Sequence, residues 1–336
     1  MNVAIYGAGS LGIILGAYIS KAGRDIDLIN RNPQHVEALR EKGTHVTGTV
    51  DFVQKVNALY PSELKKRYDI IFLMTKQLDN HAVVKSLVPF LSEDGVICTM
   101  QNGLPELSVS EVIGEDRTYG CAIAWGATLC APGTSELTSE PDALTFSLGG
   151  MTGKDTPKLN QIKELLELMG PVTVEPNFIG ARWSKLLINS AFSGMSACLG
   201  STFGEAAKGK DSRRCVQKII KECIDVSRAA GVAIEPVQGK DIVKLLDYKG
   251  AFKRRLSFMI IPLAIKKHAS LKASMLQDLE KGKLTEVDAI NGVVCAYGRK
   301  LGIPTPSNDK VAEIVHGIEQ GRYKSSPSNV GLFAGL

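Results

Sequence analysis

Long hydrophobic runs are missing from this 336-residue chain. The longest, Phe258 to Ile265, falls far below the roughly 18 residues that a membrane-spanning helix needs, and Pro262 interrupts it. Met1 is followed almost at once by a strand-like stretch, which leaves no room for a signal peptide and predicts a cytoplasmic protein. Closely spaced cysteines are absent as well. The seven cysteines are scattered, odd in number and form no CxxC, a pattern of reduced thiols buried as small hydrophobes. Nor do the five histidines show metal-ligand spacing, so no metal is expected. The net charge of +5 is spread along the chain, without the basic stripe and interleaved aromatics of a nucleic-acid binder; it favours small anions at most. Internal repeats and low-complexity segments are also lacking. What is present, 44% hydrophobic and 22% charged residues, suits a globular protein long enough for two domains.

The most informative stretch is the first. Val3-Ala4-Ile5-Tyr6 is a short apolar strand that runs into Gly7-Ala8-Gly9-Ser10-Leu11-Gly12 and then into apolar positions at helical spacing, Leu11, Ile14, Leu15 and Tyr18. A Gly-x-Gly-x-x-Gly turn by itself is weak evidence. Between a strand and a helix it is the outline of a dinucleotide site: Gly7 for the tight turn, Gly9 for close approach to a pyrophosphate, and Gly12 for close helix packing, with the phosphates on the helix N-terminal amides.

The second strand, Asp25 to Asn30, ends in Asn30-Arg31. An acid at this tip holds the ribose 2′-hydroxyl of NAD, whereas an arginine accommodates the 2′-phosphate of NADP. Arg31 also reads as an ordinary solvated loop residue, but the missing acid favours NADP. The alternating segment Thr44 to Val56 predicts strands or a hairpin at the side of the sheet. Two further apolar strands, Asp69 to Met74 and Gly95 to Met100, end in Thr75-Lys76 and Gln101-Asn102-Gly103. Strand ends face the ligand crevice of a parallel sheet, which makes Lys76 and Asn102 candidates, although Asn-Gly is also a plain turn.

Strand signals nearly vanish beyond Pro176, which sets the expected boundary between a domain at 1–176 and a helical one at 177–336. In the latter, the helix predicted over Ile179 to Leu199 places Lys185, Asn189 and Ser193 at i, i+4 and i+8. Such a stripe is usually a solvent face, but this one is short and mostly uncharged. Glu286, in the helix predicted over Leu284 to Leu301, shares a face with Ala289, Ile290 and Val293 and is expected to be partly buried, so it needs a partner or a function. The Ser/Pro/Gly-rich tail after Gly321 is expected to fray.

Together these residues resemble the ketopantoate reductase family, the NADPH-dependent 2-dehydropantoate 2-reductases. GAGSLG, Lys76, Gln101-Asn102-Gly103, Trp183-Ser184-Lys185-Leu186 with Asn189, and Ser274-Met275-Leu276-Gln277-Asp278 through Glu286 to Asn291-Gly292 carry the resemblance along nearly the whole chain. It implies an α/β fold: an N-terminal Rossmann-type dinucleotide-binding domain, a C-terminal all-helical domain, and an active site in the cleft between them. It also implies Lys185 as general acid, with Glu286 and Ser274 on the substrate's hydroxyl and carboxylate side. Asn102 and Asn189 would position the substrate, and Lys76 would lie near the nicotinamide. The coenzyme set is then Gly7, Gly9, Ser10, Leu11, Gly12, Arg31, Lys76 and Asn102. The partner is a small 2-oxo acid, with neither nucleic acid nor membrane, and a homodimer is left open. Where the family commonly has a second asparagine, this chain has Ser193, which leaves the 2-oxo acid open. A reductase of another 2-oxo acid, an opine-type dehydrogenase and a non-catalytic NADPH sensor are the alternatives.

Overall fold

The computed structural model describes residues 1–237 and 239–336. It divides into two compact units, Met1–Gln101 with Pro105–Phe178, and Asn102–Leu104 with Ile179–Leu336. In chain order the first unit contains β1 (Val3–Tyr6), α1 (Ser10–Lys21), β2 (Asp27–Ile29), α2 (Pro33–Lys42), β3 (Thr44–Gly48), β4 (Phe52–Gln54), β5 (Asn57–Leu59), β6 (Tyr68–Leu73), α3 (Asn80–Leu87), β7 (Leu91–Thr99) and α4 (Pro105–Ile113). It continues with β8 (Thr118–Ile123), β9 (Ala127–Ala131), β10 (Thr134–Leu137), β11 (Phe146–Gly150), α5 (Pro157–Glu167) and β12 (Val172–Val174).

Eight of these strands form one sheet in the order β12-β11-β8-β7-β6-β1-β2-β5, parallel except where β11 meets β8. The apolar runs are explained by burial on both faces. Ile5 and Phe72 enter one core with Ile14, Leu15 and Leu28, while their neighbours Ala4, Ile71 and Leu73 enter the other with Val84, Leu87 and Val109. From β1 the chain builds outward through β2 to β5, then returns to place β6 on the other side of β1. The switch point of this Rossmann-like sheet is therefore the gap between β1 and β6, the position that binds ligands in open α/β sheets.

The segment expected at the side of this sheet lies elsewhere. β3 and β4 pair antiparallel, and β3 joins β10 and β9 in a separate sheet of order β4-β3-β10-β9. Its strands pack over α1, because β3 turns Thr44 and Val46 inward and needs an apolar surface rather than an edge partner.

The second unit is helical: α6 (Phe178–Ile188), α7 (Gly194–Leu199), α8 (Phe203–Lys208), α9 (Lys210–Ala229), α10 (Ile242–Leu246), α11 (Ala251–Ala264), α12 (Ser274–Glu280), α13 (Val293–Leu301) and α14 (Pro306–Glu319). Every residue of α7 is buried, and α8, α9, α12 and α14 pack around it. α8 starts at a capping box between Thr202 and Glu205. The apolar run at 258–265 belongs to α11, which continues through Pro262 into its last turn. The tail is docked rather than frayed. Residues Pro327–Phe333 form a 3₁₀ turn in which Asn329 Nδ2 donates to the Cys198 carbonyl at 2.9 Å and Phe333 is buried.

Two turns of this unit are π-helical, Asn189–Ser193 between α6 and α7, and Asp288–Gly292 leading into α13. Each widens a helix that i, i+4 spacing alone predicts to be regular.

Candidate coenzyme and substrate sites

The glycine turn sits at the C-terminal end of β1. Gly7 has φ +94, and a Cβ there would lie 2.5 Å from the Thr75 amide nitrogen, so this position demands glycine. At Gly12 a Cβ would meet Ile5 at 3.0 Å, the close helix–strand contact expected of the third glycine. At Gly9 the nearest atom is 3.9 Å away, so a side chain would instead occupy the space in front of the turn. Ile13 is the first residue of α1 to donate back, to the Gly9 carbonyl at 2.9 Å. The amides of Ser10, Leu11 and Gly12 thus have no intrahelical acceptor and carry the positive end of the helix dipole.

The tip of β2 carries Asn30 and no acid. Asn30 Nδ2 donates to the Ala8 carbonyl at 2.9 Å, and its Oδ1 accepts from the Asn32 amide at 2.9 Å. Its carboxamide is thereby committed to the turn, and an acid would lose the first of these bonds. Arg31, the next residue, is exposed.

Across the switch point, buried Gln101 ties the ends of β6 and β7. It donates to the Thr75 carbonyl at 2.8 Å and to Asn80 Oδ1 at 2.7 Å, and accepts from Asn80 Nδ2 at 3.0 Å and Thr99 Oγ1 at 2.8 Å. This fixes the backbone on which Lys76, itself exposed, and Asn102 are carried.

In the second unit, Trp183 is buried edge-on against Tyr297 at 5.8 Å, and Ser184 Oγ donates to the carbonyls of Gly180 and Glu235. These anchors hold α6 with Lys185, in its last turn, half-buried. A π-turn follows one turn later, at Asn189–Ser193; Ser193 is buried in it, whereas Lys185 and Asn189 are half-buried. Asn291, in the other π-turn, donates to the Ser190 carbonyl and to Asn308 Oδ1, both at 3.0 Å. Glu222 closes the network, accepting from the amides of Ser307 and Asn308 and from Asn308 Nδ2 at 2.8–2.9 Å. Burial pushes the Glu222 carboxyl above its ordinary range against the opposing pull of these donors.

Glu286 lies just ahead of its helix rather than within it, yet it is only 9% exposed. Its Oε2 accepts from Asn102 Nδ2 at 3.2 Å, a pairing inside the second unit across 184 residues of chain. The flanking backbone is held from α14: Glu319 Oε1 accepts from both the amide and the hydroxyl of Thr285 at 2.8 Å. His316 bridges Glu319 and Asp288 at 3.1 and 2.9 Å. Burial opposes its charge, but the two carboxylates outweigh it and raise its pKa above the ordinary imidazole value. Ser274 is exposed at the first position of α12.

Both units match proteins of one kind. Residues 3–149 match the family model described as ketopantoate reductase PanE/ApbA, and residues 177–319 match that of its C-terminal part. Over 330 residues the chain is 30% identical to a 2-dehydropantoate 2-reductase of Archaeoglobus fulgidus, covering 95% of this chain and 98% of that one. The chain belongs to the ketopantoate reductase family. A 2-dehydropantoate 2-reductase of Streptococcus pyogenes serotype M1 is 29% identical over 322 residues, again with 95% and 98% covered. Among solved structures, the family's ketopantoate reductase from Ralstonia eutropha JMP134 has a TM-score of 0.80 at 25% identity, over 96% of this chain and 99% of that one. A D-mandelate dehydrogenase complex with NADH and anilino(oxo)acetate has a TM-score of 0.81 at 22% identity and equal coverage, a likeness of fold. As a family member the chain is a nicotinamide-dependent oxidoreductase acting on a CH–OH group. No helix among the described residues is long and apolar enough to cross a membrane. No His, Cys, Asp or Glu group among them could hold a metal ion, and none of the seven cysteines is in a disulfide.

Sequence reasoning missed the residues that hold these groups in place. Asn80, Asn308 and Glu222 act on backbone or amide groups far away in sequence, so no spacing rule finds them, and Asn291 is visible only as part of the Asn291-Gly292 motif, without a role. Buried His35 is of the same kind.

Proposed function

We propose that this protein reduces 2-dehydropantoate to pantoate with NADPH. NADPH, when bound, supplies the hydride; the chain supplies binding, orientation and the proton. The Ser10, Leu11 and Gly12 amides would hold the pyrophosphate, with Gly7 and Gly9 shaping the turn and Lys76 and Asn102 toward the nicotinamide end. Arg31 would take the 2′-phosphate, supported by the commitment of Asn30 to the turn. Reduction of the C2 carbonyl builds an alkoxide, and Lys185 would donate the proton that it needs. Glu286 and Ser274 would orient the substrate's hydroxyl and carboxylate side, while Asn102 and Asn189 position it. The observation that carries this reading is Glu286, a carboxylate only 9% exposed that accepts from Asn102 Nδ2 at 3.2 Å.

A second reading, reduction of a different 2-oxo acid on the same scaffold, is favoured by one feature. Ser193 is shorter than asparagine and buried in the π-turn, so the substrate's far end has more room and one fewer amide partner. Oxidation of NADPH and of NADH, followed with 2-dehydropantoate and a panel of bulkier 2-oxo acids, separates the two readings. With pantoate as product, Ser193→Asn should hold or improve kcat/KM on 2-dehydropantoate by up to roughly tenfold, the value of one hydrogen bond. Activity only on another 2-oxo acid, in both forms, would refute the pantoate assignment and keep the reductase.

A further inference from the structure

The glycine turn is gripped from its side by a histidine. His35 is 2% exposed and lies in the first turn of α2. Its Nε2 is 2.9 Å from the Ala8 carbonyl, in the middle of the turn, and its Nδ1 accepts from the Gly133 amide at 3.1 Å, at the hairpin between β9 and β10. An Nδ1 that accepts from an amide carries no proton, so the ring is the neutral tautomer and Nε2–H donates to Ala8. Asn30 Nδ2 donates to the same carbonyl, which fills both its lone pairs. The Gly7 and Ala8 amides both donate to the Ile29 carbonyl at the tip of β2. The turn therefore hangs on β2 and α2 by its amides and its one outward carbonyl, and the Ser10, Leu11 and Gly12 amides are left for a ligand.

We propose that His35 is a positioning residue for coenzyme binding, which sets the direction of the phosphate-facing amides by holding the Ala8 carbonyl against the second sheet. The inference rests on the coenzyme reading of the glycine turn. Burial lowers the imidazole's pKa, against the opposing pull of the Ala8 bond, and keeps the ring in the neutral form that this double contact requires.

The two ring nitrogens have separate jobs, and two amides can separate them. Glutamine carries its side-chain nitrogen near the position of Nε2 and can restore the bond to Ala8; asparagine is shorter, reaches only the Nδ1 side and can keep the acceptor for Gly133. NADPH affinity by fluorescence titration, KM for NADPH, kcat and the thermal midpoint are measured for the wild type, His35→Gln, His35→Asn and Asn30→Ala. The expected result is a rise of roughly tenfold in Kd and KM for NADPH in His35→Asn, with kcat at saturating NADPH within about twofold of wild type and Kd restored to within roughly threefold in His35→Gln. Asn30→Ala, which removes the other donor to the same carbonyl, should weaken NADPH similarly and keeps the test open if a His35 variant fails to fold. Equal Kd values in His35→Asn and His35→Gln, or an Asn30→Ala protein that binds as tightly as wild type, would overturn the proposal. Wild-type protein that binds neither NADPH nor NADH would overturn the coenzyme reading itself.

Discussion

The two units solve the same problem, holding a few polar groups in fixed directions, by opposite means. In the first, regular backbone does the work: a strand, a tight turn and a helix leave three amides unpaired at the end of α1, and side chains only steady the result. In the second, irregular backbone does it: two π-turns break their helices, and buried Asn291 of one donates to the Ser190 carbonyl of the other. A site made from regular backbone depends on a few glycines. One made from irregular backbone depends on the amides and carboxylates that brace it.

The sharpest test of that contrast is Lys185→Ala. A group that acts in the chemical step should cost about 10² to 10⁴ in kcat while the unfolding midpoint stays nearly fixed. Retained rate, or a protein that simply does not fold, would reassign Lys185 to the scaffold.

Asn291→Ala attacks the brace instead. It removes the donor to the Ser190 carbonyl and to Asn308, both inside the helical unit, and should cost about 2–4 kcal/mol in denaturant unfolding. NADPH affinity measured well below the transition should be unchanged, since the glycine turn does not use this network. A loss of affinity equal to the loss of stability would erase the distinction between the units.

Arg31→Ala tests the other side. An exposed arginine on a 2′-phosphate should weaken NADPH by roughly 10- to 100-fold and leave NADH nearly untouched, with no change in stability. Equal losses for the two coenzymes, read by titration, would remove Arg31 from the site.

The smallest effect belongs to His316. Its folded pKa is raised, so the stability it contributes is fully present below the unfolded value of about 6.5 and is lost as pH rises through the folded value. The ring is about a third exposed, and solvent screening limits the contribution to under about 1 kcal/mol. His316→Gln should therefore lose more stability at acidic than at alkaline pH in paired urea titrations. A pH-independent difference would show that the ring only packs.

What could be read in advance follows the same division. β1, Gly7, Gly12 and the buried parallel strands were visible because their signals are local: apolar runs, glycine and the turn between them. The burial of Glu286 is legible from its apolar neighbours, but its place ahead of the helix is not, because the preceding Thr285 is held by Glu319 of α14, 34 residues further on. The i, i+4 rule places Lys185, Asn189 and Ser193 on one line, but nothing within residues 179–199 announces the π-turn, because the donor to its Ser190 carbonyl is the distant Asn291. α11 spans the run that Pro262 interrupts, because the proline forfeits only the one bond that an amide there would donate to the Phe258 carbonyl.

The π-turn at Asn189–Ser193 also bears on how this gene can change. It holds one residue more than an α-helix of the same length, and successive α-helical residues differ by about 100° in direction. Losing a single codon here would leave composition and hydrophobicity almost intact and still let the helix close. Because the extra residue is absorbed as a bulge, the helix on either side, Lys185 included, would keep its direction relative to the buried α7, and what would go is the widened turn whose Ser190 carbonyl Asn291 holds. A substitution in this stretch thus alters one side chain, whereas a one-residue deletion removes the widened turn as a whole.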